Sequence, residues 1–166
     1  MANRHHAEIG DVWKHLPLAL LLERESVGEF WESHSGSASY PLEPGEARDY
    51  GARRVLARAA AVPAIADSAY VRVLREYDAA GRYPGSPALA MGLAPAARFR
   101  FCDTDPACLA DIRAEAARLA LDPARVTTHT GDGIAALADE LRGGLRCART
   151  RSARASRSVS PARARR

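Results

Sequence analysis

At 166 residues and 17.8 kDa the chain has room for about one domain. Its composition, 47% hydrophobic and 27% charged, is that of an ordinary globular protein. The net charge of +4 is uneven: residues 145–166 hold eight arginines and no acid, which leaves 16 basic against 20 acidic residues in 1–144. Whole-chain charge is therefore poor evidence for a nucleic-acid partner. The longest apolar stretch, near Leu16 to Leu22, is interrupted by Pro17 and ends at Glu23, short of the roughly 20 residues a membrane span needs. The first fifteen residues, MANRHHAEIGDVWKH, carry no apolar core behind a basic start, so no secretory signal is expected there. Cys102, Cys108 and Cys147 show no CxxC spacing, which reads as reduced thiols and a cytoplasmic location. His5, His6, His15, His34 and His129 fit no compact zinc pattern, and no metal is expected.

In chain order, residues 11–25 predict a helix with Asp11 as N-cap and Trp13, Leu16, Leu20 and Leu21 at helical spacing. Glu29 to Glu32 predicts a short buried strand that runs into a loop of small residues, Ser33 to Ser39. From Gly45 to about Ala80 the Ala- and Arg-rich text predicts two helices split near Pro63 and stopped at Gly81. The arginines of 48–58 and 72–82 could face rRNA, but a solvated helix face is the default reading. Tyr83 to Pro87 is a rigid turn that opens a helix, with Ser86 as N-cap and Pro87 at the first helical position. Arg98 to Asp103 alternates charged and apolar residues and ends on a carboxylate, as a strand would. Asp105 caps a helix from Pro106 to about Leu121, with Leu109, Ile112, Ala116 and Leu119 as its apolar stripe. Val126 to Thr130 is a third strand, and Gly131-Asp132-Gly133 turns it into a last helix from Ile134 to Leu141, closed by Gly143-Gly144. Alternating strands and helices predict an α/β protein with a parallel sheet. Residues 145–166 lack any apolar period and predict disorder. They read either as an RNA-binding Arg/Ser tail or, as the abrupt break favours, as a frame-shifted end.

Ligands of parallel α/β sheets bind at the carboxyl ends of the strands. His34 with Gly36, Asp103, and Asp132 with Gly133 fall there by this reading. An acid ending the second strand can accept both hydroxyls of a ribose. Asp132 can reach an adenine amine or cap the helix that follows. The three-glycine dinucleotide fingerprint is absent, since the first loop offers only Gly36.

Five segments taken together carry more information: DVWKH (11–15), ESHSGSASY (32–40), YPGSP (83–87), CDTDP (102–106) and GDG (131–133). In order and spacing they resemble the motifs of the bacterial 23S rRNA adenine-N6 methyltransferase family, over about residues 3 to 144. The resemblance implies a Rossmann-like, S-adenosylmethionine-dependent methyltransferase fold with an incomplete sheet. It also implies a helical insertion at about 46–82, after the first strand. By position, His15, His34, Ser86, Asp103, Asp132 and Gly133 would contact the methyl donor, and Lys14 could assist near an adenine of 23S rRNA. The chain departs from the family at Glu32, where the family has Asp, and at Ala38, where a glycine is usual and a methyl group is expected to crowd the donor loop. The family's catalytic D-P-P-Y motif occurs nowhere in the 166 residues, so no catalytic residue can be carried over. The expectation is that this chain alone does not transfer methyl groups and that its first strand has an open edge. A non-catalytic cofactor- or RNA-binding remnant is the alternative, and a related methyltransferase with another substrate is a third reading.

Overall fold

Two hydrophobic clusters organise the chain, one among helices and one on a small parallel sheet. The structure, a computed structural model, describes residues 6–142. His5, Cys147, the Gly143-Gly144 helix stop and the Arg/Ser segment 145–166 lie outside the described residues. The chain divides into two units after Gly133. The first holds α1 (Ile9–Arg24), β1 (Glu29–Glu32), β2 (Ser39–Pro41), α2 (Glu46–Tyr50), α3 (Ala52–Ala59), α4 (Pro63–Ala66), α5 (Ala69–Asp78), β3 (Arg82–Pro84), α6 (Ser86–Leu93), β4 (Arg98–Asp103), α7 (Pro106–Arg118) and β5 (Val126–Thr130). The described part of the second is the remainder of a helix over 133–142, in which Arg142 pairs with Asp139 at 2.6 Å.

Strands β1, β4 and β5 form the parallel sheet in the order β1-β4-β5. Phe30 pairs with Phe99 across β1 and β4, and Phe99 pairs with Val126 across β4 and β5. The central strand β4 buries Phe99 and Phe101 completely, or nearly so, under Leu109 and Ile112 of α7 and Met91 of α6. Its alternation of exposed and buried residues is the period-two pattern of its sequence. Strand β1 pairs only with β4, so its other edge is open among the described residues.

The helical cluster joins α1 to α3 and α5 around Val12, Tyr70, Leu74 and Tyr83. Helix α1 buries Val12, His15, Ala19 and Leu22, a single face at spacings of three and four. It starts two residues earlier than its sequence suggests. Glu8, not Asp11, is the N-cap, and Asp11 sits in the first turn, where a negative charge complements the helix dipole. The Gly45–Ala80 region holds four short helices instead of two. Pro63 begins α4 as expected, but a further break falls at Gly51, where the Ala52 N–H leaves the helix to bond the Ala7 carbonyl at 3.0 Å. A contact with the start of α1 thus sets a boundary that local sequence does not mark.

Strands β2 and β3 were not expected. They pair antiparallel through Tyr40 and Tyr83 and lie on either side of the four-helix segment in the chain. Each is three residues long and carries a proline, so neither shows an alternating pattern. At the end of α7, Ala120 takes a left-handed conformation at φ 54°, while the Leu121 N–H reaches back to the Ala116 carbonyl. This C-terminal motif ends the helix at Arg118, before the predicted Leu121.

Candidate functional site

The carboxyl ends of β1 and β4 open into a polar cleft of about 360 Å³, bounded also by α1, β3 and the start of α6. His34, Ser35 and Gly36 form one wall, Asp103, Thr104 and Asp105 another, and Asp11, Lys14 and His15 a third. Gly85 and Ser86 enter from the turn before α6. His15, His34, Ser86, Asp103 and Lys14, drawn from four separate sequence motifs, therefore share one cavity. Asp132 and Gly133 follow β5 but are not among the lining residues.

The loop after β1 is held to the end of β4 by a short ladder. The Ser35 N–H and hydroxyl both donate to the Cys102 carbonyl, at 3.0 and 3.1 Å. The Gly36 N–H donates to Asp103 Oδ2 at 2.8 Å, and the Asp105 N–H donates to Asp103 Oδ1 at 2.9 Å. Each carboxylate oxygen thus takes one backbone donor and retains capacity for another. Asp105 itself caps α7, its side chain accepting from the Ala107 N–H at 2.9 Å, as its position before Pro106 predicts.

Ser86 does not cap α6. The N-cap is Gly85, and the Ser86 hydroxyl instead donates to Glu32 Oε1 at 2.5 Å, tying α6 to the end of β1. Gly85 must be glycine, because a Cβ there would lie 2.4 Å from the Ser37 carbonyl oxygen. Gly133 meets a similar limit, with its Cβ position 2.2 Å from the Ser33 carbonyl oxygen. Its place is thus set by packing against the loop that carries His34. Ala38 is fully buried in the sheet cluster, and its carbonyl accepts the Gly85 N–H at 2.8 Å. Ala38 is absent from the residues that line the cleft.

Beneath α1 a chain of aromatic hydroxyls supports His15. Its Nδ1 lies 2.8 Å from the Tyr83 hydroxyl, which in turn lies 3.3 Å from the Tyr70 hydroxyl. Burial lowers the His15 pKa to about 4, so the ring is neutral near pH 7. Burial likewise pushes the Tyr70 hydroxyl up to about 12. Glu32 is the opposite case to His15. Its removal from water, aided by nearby Asp103, raises the carboxyl to about 7 against the pull of Ser86 and Lys14. The Lys14 ammonium is exposed and sits 2.9 Å from Asp11.

Sequence reasoning missed Tyr40, Tyr83 and His6 as parts of this site. The Tyr40 hydroxyl accepts the Ser37 N–H at 2.9 Å, and its ring stacks on His6 with centroids 4.9 Å apart. Both tyrosines lie inside the ESHSGSASY and YPGSP segments, so the signal was present but looked like punctuation.

A polar cleft at the carboxyl ends of a parallel sheet defines the chain as an α/β protein with a small-molecule-sized site. No family model and no curated protein matches it. Among solved structures it is similar in fold to a Legionella pneumophila protein of family DUF519, with a TM-score of 0.61 and 24% identity over 79% of this chain. The match covers 51% of that protein, so the chain spans about half its length. Among the described residues, no helix is long and apolar enough to cross a membrane, and no group of three His, Cys, Asp or Glu side chains could hold a metal ion.

Proposed function

We propose that the chain is the S-adenosylmethionine-binding part of a Rossmann-like methyltransferase directed at an adenine N6 amine of 23S rRNA. The observation that carries this reading is the convergence of His15, His34, Ser86 and Asp103 on one cleft. These residues are distant in sequence, and the five motifs that resemble the rRNA adenine-N6 methyltransferase family single them out independently of the fold. The strand order β1-β4-β5, with both pairings parallel, supports a Rossmann-like arrangement.

The residues present fit the donor. Asp103 has one free acceptor position on each oxygen, which suits the two adjacent hydroxyls of a ribose. Neutral His15, fixed at Nδ1 by Tyr83, leaves its other ring nitrogen available for a polar group of the ligand. Behind the cleft, Glu32 Oε2 is buried without a hydrogen-bond partner, so this acid can ionise when a cationic ligand is near. Roles for Asp132 and Gly133 at the adenine rest on the resemblance alone. S-adenosylmethionine, when bound, supplies an electrophilic methyl group. In this chain Asp103 would hold the nucleoside, His34 would line its side of the cleft, and Lys14 would offer a positive charge at the rim toward an RNA backbone.

The 166 residues contain no D-P-P-Y, hence no carboxylate at the position that would orient the adenine amine. That observation favours a second reading, in which the chain binds the cofactor without transferring its methyl group. Calorimetry with S-adenosylhomocysteine tests the site, and absence of binding would remove the donor reading. Radiolabelled methyl transfer to unmodified 23S rRNA separates the two readings. The expected result is binding with no transfer, and transfer above background would rule out the cofactor-binding remnant.

A further inference from the structure

Glu32, the last residue of β1, meets the cleft only through its neighbours. Its Oε1 accepts the Ser86 hydroxyl at 2.5 Å, while Oε2 is buried and has no hydrogen-bond partner. Three elements contribute the groups around it: Ser86 from α6, Asp103 from β4 and Lys14 from α1. The Lys14 ammonium is shared with Asp11 at 2.9 Å, so its charge is partly spent away from Glu32. His15, the other titratable group of α1 at this wall, is neutral near pH 7. Among the described residues the buried acid thus has one hydrogen-bond donor and no ion pair of its own, while the nearby ammonium is paired with Asp11. Such an arrangement lacks positive charge, and around a buried acid that lack acts over several ångströms without contact.

We infer that Glu32 selects ligands of the cleft by charge: a ligand carrying a positive centre binds with Glu32 ionised and displaces its proton to solvent, whereas a ligand neutral at that centre does not. The inference rests on the donor reading in one respect, that the positive centre is the sulfonium of S-adenosylmethionine. Its demethylated product, S-adenosylhomocysteine, has a neutral thioether at the same place. The cleft then favours the methyl donor over its product, and does so more strongly as pH rises. This preference follows from linkage, because whatever ionises Glu32 is itself bound more tightly when Glu32 is ionised.

Calorimetry on the full chain at pH 7, in two buffers of different ionisation enthalpy, counts the protons released by each of the two ligands. A carboxyl that titrates at about 7 is half protonated there. S-adenosylmethionine should therefore release about half a proton more than S-adenosylhomocysteine. The ammonium common to both ligands also titrates near this range, at about 8, and Glu32→Gln serves as its control. In that variant the difference between ligands should vanish. Between pH 6 and pH 8 the affinity ratio of donor to product should rise by up to about tenfold in the wild type and stay flat in the variant. Equal proton counts for two ligands that both bind would overturn the inference and leave the donor reading intact. Failure of both ligands to bind would overturn the two together. Should Glu32→Gln not fold, the difference between the ligands on the wild-type chain still decides the matter.

Discussion

Helix α1 faces two cavities of opposite character. On one side Asp11, Lys14 and His15 line the polar cleft of about 360 Å³. On the other, Ile9, Val12, Trp13 and Leu16 line a groove of about 510 Å³ completed by Val55 and Ile65. The cleft is held open by directed bonds: two N–H groups on Asp103, Ser86 on Glu32, Tyr83 on His15. The groove is lined by apolar side chains, Tyr50 and two arginines, of which Arg54 stacks over Tyr50 at 5.5 Å. Trp13 is 76% exposed there. Hydrogen bonds have direction and fix where atoms sit, whereas apolar contact is nearly isotropic. One helix can therefore carry a preorganised site on one face and a permissive surface on the other, and substitutions should separate the two.

The largest effect is expected at the turn that enters the cleft. Gly85→Ala would drive a methyl group into the Ser37 carbonyl, next to the bond from the Gly85 N–H to the Ala38 carbonyl that adjoins the β2–β3 pairing. Chemical denaturation should record a loss of about 3 kcal/mol, and wild-type stability would show that the turn is looser than described.

A smaller effect depends on pH. The Glu32 carboxyl is raised from 4.5 to about 7, so it binds a proton more tightly in the folded chain than in the unfolded one. Its contribution to stability is therefore present below pH 4.5 and lost as pH rises through about 7. Glu32→Gln removes that loss and should gain on the wild type between pH 5 and pH 8, by at most about 3 kcal/mol. His15 has the opposite sign. Its pKa falls from 6.5 to about 4, and its contribution is present above pH 6.5 and lost as pH falls through 4. Thermal melts at pH 5 and pH 8 on both chains check the first statement, and an unchanged gap between them would contradict it.

Asp103→Ala should weaken S-adenosylhomocysteine binding at least about tenfold, or about 1.4 kcal/mol, with Asp103→Asn intermediate because it keeps one acceptor. Titration calorimetry reads this directly, and unaltered affinity would remove Asp103 from the site. The smallest effect belongs to the groove. Trp13→Ala should change stability by no more than about 0.5 kcal/mol and leave ligand affinity within about twofold. A large loss of binding in that variant would mean that the two faces of α1 are coupled.

Much of the sheet was legible in the sequence. Strands β1, β4 and β5 fall where Glu29 to Glu32, Arg98 to Asp103 and Val126 to Thr130 predict them, marked in turn by aromatic, alternating and β-branched residues, although β1, expected to be buried, fully buries none of its four residues. Helix α7 was legible because Asp105-Pro106 is a local start signal that needs no tertiary help. The pair β2–β3 was not, since residues more than forty positions apart supply its hydrogen bonds and three-residue strands have no period to read. Asp11 and Ser86 misled in the same way. Each is a good cap by type, yet each spends its side chain on another partner, Lys14 for one and Glu32 for the other.

The same division runs through the site. From residue type and order alone came an acid at the end of the second sheet strand, a small-residue loop carrying His34, and the motif resemblance that joins them to His15 and Ser86. These are properties of short segments, set by local spacing. Only the tertiary structure decided that Glu32 would be a half-satisfied acid behind the cleft, that His15 would be neutral against Tyr83, and that Ala38 would be fully buried. Each of those outcomes depends on how far a group is removed from water and on what faces it, and both are fixed by residues remote in the chain.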